Sequence, residues 1–432
     1  MDLRPSTKNQ NGQRRPNKYF FGVFLPYNAQ CRKLHQLNKT APSSQSVAEM
    51  VIEKLWGLFP KGAPLHEPSI GGNAWTYVKE CLDTGWVSTA GQYVNQFEKE
   101  LQYYTGANHA IATVNGTSAL HICLLLANVK RNHEVIVPAM TFVATANAVA
   151  YCGAIPHFAD SDRDTLSLDI ARLEKWLELS TDISDGKCKN RRTGRHISAV
   201  ICVHTLGHMA DIEKLSTVCK RFKLTLIEDA AEALGSFRHG IHAGSGARLA
   251  ALSFNGNKIL TTGGGGAILT CDGKTAEQAR HLTTTGKTAH AWAFNHDAVA
   301  YNYRLPNLNA ALGCAQLEQM PAFIAAKRRI AEGYAKLFSD VPGVKMIREP
   351  KGAKSNYWLN AILLDPAHAG VRNQILAATN NRKIHTRPAW TPMHHLPMYS
   401  DSPRMDLHIT EELFSGLIDL PSGVELLGYI KK

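Results

Sequence analysis

The sequence predicts an α/β protein: a large domain with a mostly parallel sheet, followed by a smaller C-terminal α+β domain. The chain has 432 residues, which is too long for one simple core. From about residue 108, short apolar, β-rich runs alternate with amphipathic helical stretches, which is typical of a parallel sheet covered on both faces. Beyond residue 308 the alternation stops, and a long helical stretch leads into a few β-rich runs. We therefore expect a large domain over 46–305 and a small domain over 306–432.

The predicted elements follow from these runs in chain order. The strands of the large domain are AIATV (110–114), EVIVPA (134–139), IPHFAD (155–160), ISAVICVH (197–204), LTLIED (224–229), LAALSFN (249–255) and GAILT (266–270). The helical patterns between them are SALHICLLLANV (118–129), DIARLEKWLEL (169–179) and DIEKLSTVCKRF (211–222). The small domain has a long helix from 308 that bends at Pro321, then strands NYWLNAILL (356–364) and KIHTRPAW (383–390).

The net charge of +12 is concentrated at the start of the chain. Residues 1–40 hold eight Lys and Arg against one Asp, a net +7, which leaves only +5 for the other 392 residues. We expect residues 1–45 to form a basic, poorly ordered extension, and the rest to present no basic face for nucleic acid. No apolar run approaches the ~18 residues of a membrane span. The nine scattered cysteines contain no CxxC pair and indicate reduced thiols in a cytoplasmic protein.

Polar residues follow the predicted strands at the edge where α/β proteins bind ligands. The strand LTLIED ends in Asp229, and LSFN leads to Lys258 through a polar turn. The segment NGTS (115–118) follows another strand and begins a helix, and MTFVAT (140–145) supplies an aromatic ring. An amine for a Schiff base, an acid for a pyridine nitrogen, a ring to stack and a helix start for a phosphate are what pyridoxal phosphate (PLP) requires.

Other interpretations of these residues are weaker. Taken alone, Lys258 would be an exposed loop lysine and Asp229 a helix N-cap, so the hypothesis depends on their joint occurrence. The four glycines 263–266 are not a nucleotide-triphosphate loop, because no GK[ST] follows them. We expect no metal site: His204 and His208 flank a glycine without an evident third ligand, and HH at 394–395 is not a metal motif.

Five motifs carry a family resemblance. EDAAEALGS, SFNGNKILTTGGGG, NGTSALH, GWVSTAGQYVNQFE and YNYRLPNLNAALG resemble the DegT/DnrJ/StrS family of PLP-dependent nucleotide-sugar aminotransferases, over residues 46 to about 425. The chain is most similar to the LegC-type branch, which aminates C4 of UDP-linked 4-keto-6-deoxy N-acetylhexosamines. The resemblance implies the aspartate aminotransferase fold (PLP fold type I), PLP as cofactor, a nucleotide 4-keto-sugar and L-glutamate as substrates, and a homodimer with composite active sites.

The resemblance also implies a role for each site residue. Lys258 forms the Schiff base and moves the proton, Asp229 pairs with the pyridine nitrogen, and Phe142 stacks on the ring. The other implied cofactor contacts are Gly116, Thr117 and Ser253 at the phosphate, Asn302 at the same phosphate from the second subunit, and Glu232 near the ring. Residues 241–251, IHAGSGARLAA, depart from the family pattern, with Arg248 where a smaller residue is common, so a less active site is expected if this loop distorts the cavity.

Two alternatives remain open from the sequence. Related PLP-dependent sugar dehydratases have a histidine in place of the Schiff-base lysine, and Lys258 argues against that activity. A non-catalytic, basic-tailed binding protein on the same fold would be supported only by the charge of residues 1–40.

Overall fold

The computed structural model describes residues 43–430. The predicted extension, residues 1–45, lies outside them apart from its last residues, where Ser43 caps the first helix. The helices are α1 Ser44–Leu58, α2 Ala74–Thr84, α3 Gln92–Thr105, α4 Gly116–Leu126, α5 Val143–Tyr151, α6 Ile170–Ser180, α7 Ile212–Arg221, α8 Gly273–Thr283, α9 Asn307–Glu318, α10 Met320–Leu337, α11 Arg372–Asn381, α12 His408–Gly416 and α13 Leu427–Ile430.

Nine of the described strands form one large sheet. All the strands of the described residues are β1 His109–Thr113, β2 Glu134–Pro138, β3 Ile155–Ala159, β4 Thr181–Ser184, β5 Lys187–Asn190, β6 His196–Val203, β7 Thr225–Asp229, β8 Phe237–Arg238, β9 Ile241–His242, β10 Leu249–Ser253, β11 Gly266–Thr270, β12 Lys287–Thr288, β13 Asn295–His296, β14 Val344–Met346, β15 Ala353–Lys354, β16 Asn360–Leu364, β17 Arg387–Pro388 and β18 Leu417–Leu420. The main path of the large sheet has the order β1-β11-β10-β7-β6-β2-β3, and the hairpin β4-β5 joins it beside β6.

The mostly parallel sheet of the prediction is confirmed. Strands β10, β7, β6, β2 and β3 run parallel to one another, and β11 runs antiparallel to both β10 and β1. Each of the seven predicted strands overlaps an observed one. The segment 254–265 joins β10 to the antiparallel β11, so Lys258 projects from the connection at the carboxyl end of β10.

A second sheet lies in the C-terminal part of the chain, with the antiparallel order β14-β16-β18-β17. The predicted long helix is two helices that meet at Gln319, with Pro321 in the first turn of α10, where its missing N–H costs no helical bond. Helix α1 shares its core with this C-terminal sheet: the buried Val47, Val51 and Leu55 belong to one cluster with Ile362 of β16 and Ile418 of β18. The predicted boundary between residues 305 and 306 stays a prediction.

The cysteines within residues 43–430 are free thiols, and most of them are buried. None of the helices within 43–430 is both long enough and apolar enough to cross a membrane.

Candidate active site

A cavity of about 320 Å³ opens at the carboxyl ends of β7 and β10. Seven of the eight site residues expected from the sequence line it: Gly116, Thr117, Phe142, Asp229, Glu232, Ser253 and Lys258. The eighth, Asn302, is exposed and forms an isolated β-bridge with Thr284, away from the lining of this cavity. One chain thus brings together the whole predicted set except the residue expected from a second subunit.

Lys258 is held between the large sheet and the C-terminal part of the chain. Its Nζ lies 3.9 Å from the ring centroid of Trp358 and 3.6 Å from Oε1 of Glu232. The indole Nε1 of Trp358 donates to the carbonyl oxygen of Asn257 at 2.7 Å, which fixes the loop beside the lysine. The side chain of Lys258 is therefore held between an aromatic face and a carboxylate, both of which attract a positively charged group.

Asp229 is the buried last residue of β7. Its Oδ2 accepts a hydrogen bond from Oγ1 of Thr145 at 2.8 Å, and its Oδ1 accepts one from the N–H of Ala231 at 3.2 Å. Burial raises the pKa of Asp229, and the Thr145 bond acts in the opposite direction. The carboxylate is therefore oriented, and no side chain within residues 43–430 places a cation at bonding distance from it; a protonated ring nitrogen would supply one.

Glu232 lies beside Lys258 and is anchored by a strained turn. Its Oε2 accepts the N–H of Leu206 at 2.8 Å, and Leu206 has φ 56°, in the left-handed region that a leucine rarely adopts. Burial raises the pKa of Glu232 to about 7, and the neighbouring lysine limits the rise. Glu232 can therefore gain or lose a proton near neutral pH.

The N-terminus of α4 forms one end of the cavity. Asn115 caps the helix by accepting the N–H of Ser118 at 2.7 Å. A Cβ on Gly116 would lie 2.8 Å from Cβ of Ser253, and one on Gly266 would lie 2.5 Å from the carbonyl carbon of Asn115. Glycine is therefore needed at both positions for the strand ends to approach the helix start. Free backbone N–H groups with hydroxyls nearby form an anion site suited to a phosphate.

The loop that departs from the family pattern is organised by Glu228. Its buried carboxylate accepts the N–H groups of Gly244, Gly246 and Ala247 at 2.6–2.9 Å and lies 2.8 Å from Nε2 of His204. Arg248 instead bonds Oγ1 of Thr275 at 2.7 Å and does not line the cavity.

Two of the family-like motifs pack against each other. Oδ1 of Asn307 accepts the N–H of Tyr93 at 3.0 Å, and Nη2 of Arg304 lies 2.7 Å from Oε1 of Glu98. GWVSTAGQYVNQFE and YNYRLPNLNAALG therefore meet in the buried interior.

Sequence reasoning missed several lining residues. Thr145 lies in the segment noted after β2, but nothing in the sequence indicated that it bonds Asp229. Trp358 and Trp390 come from the C-terminal part and stack with centroids 6.5 Å apart and planes 8° apart. Their position depends on packing between distant segments, which leaves no local signal.

The fold and this cavity define a PLP-dependent sugar aminotransferase. The chain belongs to the DegT/DnrJ/EryC1/StrS aminotransferase family, whose profile matches residues 68–428. The predicted family, fold class and enzyme class are thereby confirmed.

Three comparisons illustrate the relationship. The GDP-perosamine synthase of Escherichia coli O157:H7 is 36% identical over 363 residues, which cover 84% of this chain and 93% of the relative. The GDP-perosamine synthase of Vibrio cholerae is 36% identical over 336 residues, covering 78% and 87%. A solved DegT/DnrJ/EryC1/StrS aminotransferase from Brucella abortus is 27% identical, with a TM-score of 0.74, covering 83% of this chain and 94% of that one.

The residues present fit the cofactor of this family. The start of α4 is suited to its phosphate, and the carboxylate of Asp229 is suited to its ring nitrogen. The ring of Phe142 lines the cavity yet is 54% exposed, so a planar group lying against it would bury apolar surface.

Replacing Glu232 by glutamine should change how stability depends on pH. The pKa of Glu232 is about 7 in the folded chain and 4.5 as the ordinary value, so above pH 4.5 the unfolded chain binds fewer protons at this group. The free energy of unfolding of the cofactor-free wild type should therefore fall, relative to Glu232→Gln, as the pH rises from 4.5 to about 7, and level off above.

Urea denaturation of both proteins across this range measures the difference. Glu277→Gln, at an exposed position on α8, is the matched control and should follow the wild type. Parallel pH profiles for wild type and Glu232→Gln would show that Glu232 does not titrate in this window.

Proposed function

We propose that this protein transfers the amino group of L-glutamate to C4 of a nucleotide-linked 4-keto-6-deoxy sugar. The observation that carries the proposal is the convergence of Lys258, Asp229 and the start of α4 on one cavity. A transaminating site needs a base, a partner for the ring nitrogen and a phosphate anchor, and these three supply them.

Lys258 is the proposed base for the proton transfers of both half-reactions. When bound, PLP would supply an electron sink for the reacting carbon and would carry the amino group from donor to acceptor. Lys258 is the only amine among the lining residues. It would take the proton from the α-carbon of L-glutamate in the first half-reaction and deliver a proton to C4 of the sugar in the second. Glu232, at 3.6 Å, would stabilise the lysine as an ammonium between these steps.

Asp229, Phe142 and the start of α4 would hold the cofactor. Asp229 would keep the ring nitrogen protonated, Phe142 would cover one face of the ring, and the α4 N–H groups with Thr117 and Ser253 would bind the phosphate. Trp358 and Trp390 line the cavity with Lys258, so their indoles would exclude water around the reacting amine.

The second part of the proposal concerns which nucleotide the sugar substrate carries. The sequence resemblance favours a UDP-linked N-acetylhexosamine, whereas the matched relatives are named GDP-perosamine synthases. We propose the UDP-linked substrate on the basis of the motif resemblance alone and treat the GDP-linked sugar as the competing candidate.

A panel of substrates tests both the amino transfer and the choice of nucleotide. The purified protein is incubated with PLP, ¹⁵N-labelled L-glutamate and either a UDP-linked or a GDP-linked 4-keto-6-deoxy sugar, and products are identified by mass spectrometry. A labelled amino sugar from the UDP substrate supports the full proposal, and one from the GDP substrate alone overturns the nucleotide assignment. A product that has lost a hydroxyl without gaining nitrogen would indicate the dehydratase. No conversion of any substrate would contradict an enzymatic role.

We further propose a homodimer in which Asn302 serves the phosphate site of the second subunit. Asn302 is exposed and does not line the cavity of its own chain. Large apolar side chains are also exposed elsewhere, including Trp75 on α2 and Trp292 and Phe294 in the hairpin β12-β13, at 79%, 83% and 81%. Such exposure is typical of a surface that a partner covers.

Mixing two inactive variants should restore activity if the sites are composite. Lys258→Ala and Asn302→Ala are each expected to be impaired as homodimers. After subunit exchange about half the dimers are mixed, and each mixed dimer has one intact site, so roughly a quarter of wild-type activity should return.

The matched control is a mixture of Lys258→Ala and Asp229→Asn. These two residues line the same cavity of one chain, so every site in the mixed dimer keeps one lesion and activity should not return. If exchange is demonstrated and the first mixture also stays inactive, Asn302 does not act across the interface.

A further inference from the structure

Three metal-ligating side chains converge outside the cavity, where the turn 393–395 meets α12. Nε2 of His394 lies 2.6 Å from Oε1 of Glu411, and Nε2 of His395 lies 2.8 Å from the same oxygen. The three ligand atoms lie within 4.8 Å of one another. We propose that His394, His395 and Glu411 bind a divalent transition-metal ion, with Zn²⁺ as the ion that the donor set favours.

The donor chemistry is that of a zinc site with three protein ligands. Two imidazole nitrogens and one carboxylate oxygen bind Zn²⁺ at about 2.0–2.2 Å and leave a fourth position for water. At those bond lengths the ligand atoms of a tetrahedral site are about 3.3 Å apart. The observed separations from Oε1, 2.6 and 2.8 Å, are shorter by roughly 0.5 to 0.7 Å, so small side-chain rotations would admit the ion.

Burial and exposure suit the three ligands to this role. The side chain of His394 is 10% exposed, whereas those of His395 and Glu411 are 40% and 42% exposed, so the ion can reach the site from solvent. The imidazoles of His394 and His395 both contact Oε1 of Glu411, and a bound ion would replace these contacts.

The site would connect two parts of the chain close to the cavity wall. Trp390, a lining residue, lies just before the turn, and the N–H of Met393 donates to the carbonyl oxygen of Ala139 at 2.8 Å. Glu411 lies in the first turn of α12. A bound ion would therefore fix the turn that follows Trp390 against this helix. The sequence predicted no metal at HH 394–395 because its third ligand lies on a different element.

Titration with Co²⁺ tests the proposal on the full-length protein, freed of any histidine tag and loaded with its cofactor. Tetrahedral Co²⁺ gives visible bands at longer wavelengths than PLP absorbs, and Zn²⁺ should displace it. We expect one ion per chain, and at least tenfold weaker binding for both Glu411→Gln and His395→Ala, because each removes a ligand. Glu411→Gln keeps a hydrogen-bond acceptor for the histidines, so it separates loss of a ligand from loss of folding.

Two control variants exclude other sources of binding. His408→Ala removes an exposed histidine on the same helix that contacts only one carboxylate, that of Asp406. Cys271→Ser removes an exposed thiol. Both should bind Co²⁺ like the wild type. Absence of saturable Co²⁺ and Zn²⁺ binding, or binding that is unchanged in Glu411→Gln and His395→Ala, would overturn the proposal.

Discussion

Lys258→Ala is expected to lower the rate of amino transfer by about a thousandfold or more, because the cavity then has no amine to move the proton. The variant should still bind PLP, since Asp229 and the start of α4 are unchanged. Production of the amino sugar measures the activity, and absorbance after dialysis measures retained cofactor.

Covalent trapping tests the same residue chemically. Borohydride reduction of the wild type should attach the cofactor to the peptide containing FNGNK, and mass spectrometry locates it. Lys274→Ala, an exposed position on α8, is the matched control and should retain both activity and attachment. An active Lys258→Ala protein, or a cofactor fixed to another lysine, would contradict the assignment.

Asp229→Asn is expected to reduce the rate by about a hundredfold or more, because an uncharged amide cannot keep the ring nitrogen protonated. The substitution conserves shape and the acceptor oxygen for Thr145, so the fold should be preserved. Thr145→Val should cost less, since it removes the hydrogen bond to Asp229 at 2.8 Å and the one to Thr141 at 3.0 Å but leaves the charge.

The kinetic readout separates an electronic effect from a lost binding contact. For Asp229→Asn we expect kcat to fall more than cofactor affinity. Asp182→Asn, at an exposed position in β4, is the control and should have the kcat and the cofactor affinity of the wild type. An Asp229→Asn enzyme with normal kcat would show that this carboxylate does not act on the ring.

The sequence predicted the site best where polar residues follow strands of the parallel sheet. Nearly continuous apolar strands predicted the parallel sheet, and in such a sheet strand ends meet at one edge. This geometry explains why Asp229, Lys258 and Gly116 could be predicted together although they are far apart in the chain. The structure places all three in the lining of one cavity.

Contacts between distant segments could not be predicted in the same way. Trp358 contacts Lys258 only because the C-terminal part folds over the large sheet. The antiparallel direction of β11 was not evident, because GAILT is as apolar as its parallel neighbours. Nothing in the sequence indicated that Glu411 lies next to His394, because tertiary packing alone brings these two residues together.

The packing of α1 has a consequence for biosynthesis. The ribosome synthesises this helix well before β18, yet its buried face, including Val47 and Leu55, packs in a cluster that includes Ile418 and Leu420 of β18. Those side chains therefore stay uncovered in the nascent polypeptide until β18 has been translated. Premature termination before β18 would leave them uncovered, so truncated products should be prone to aggregation and to capture by chaperones.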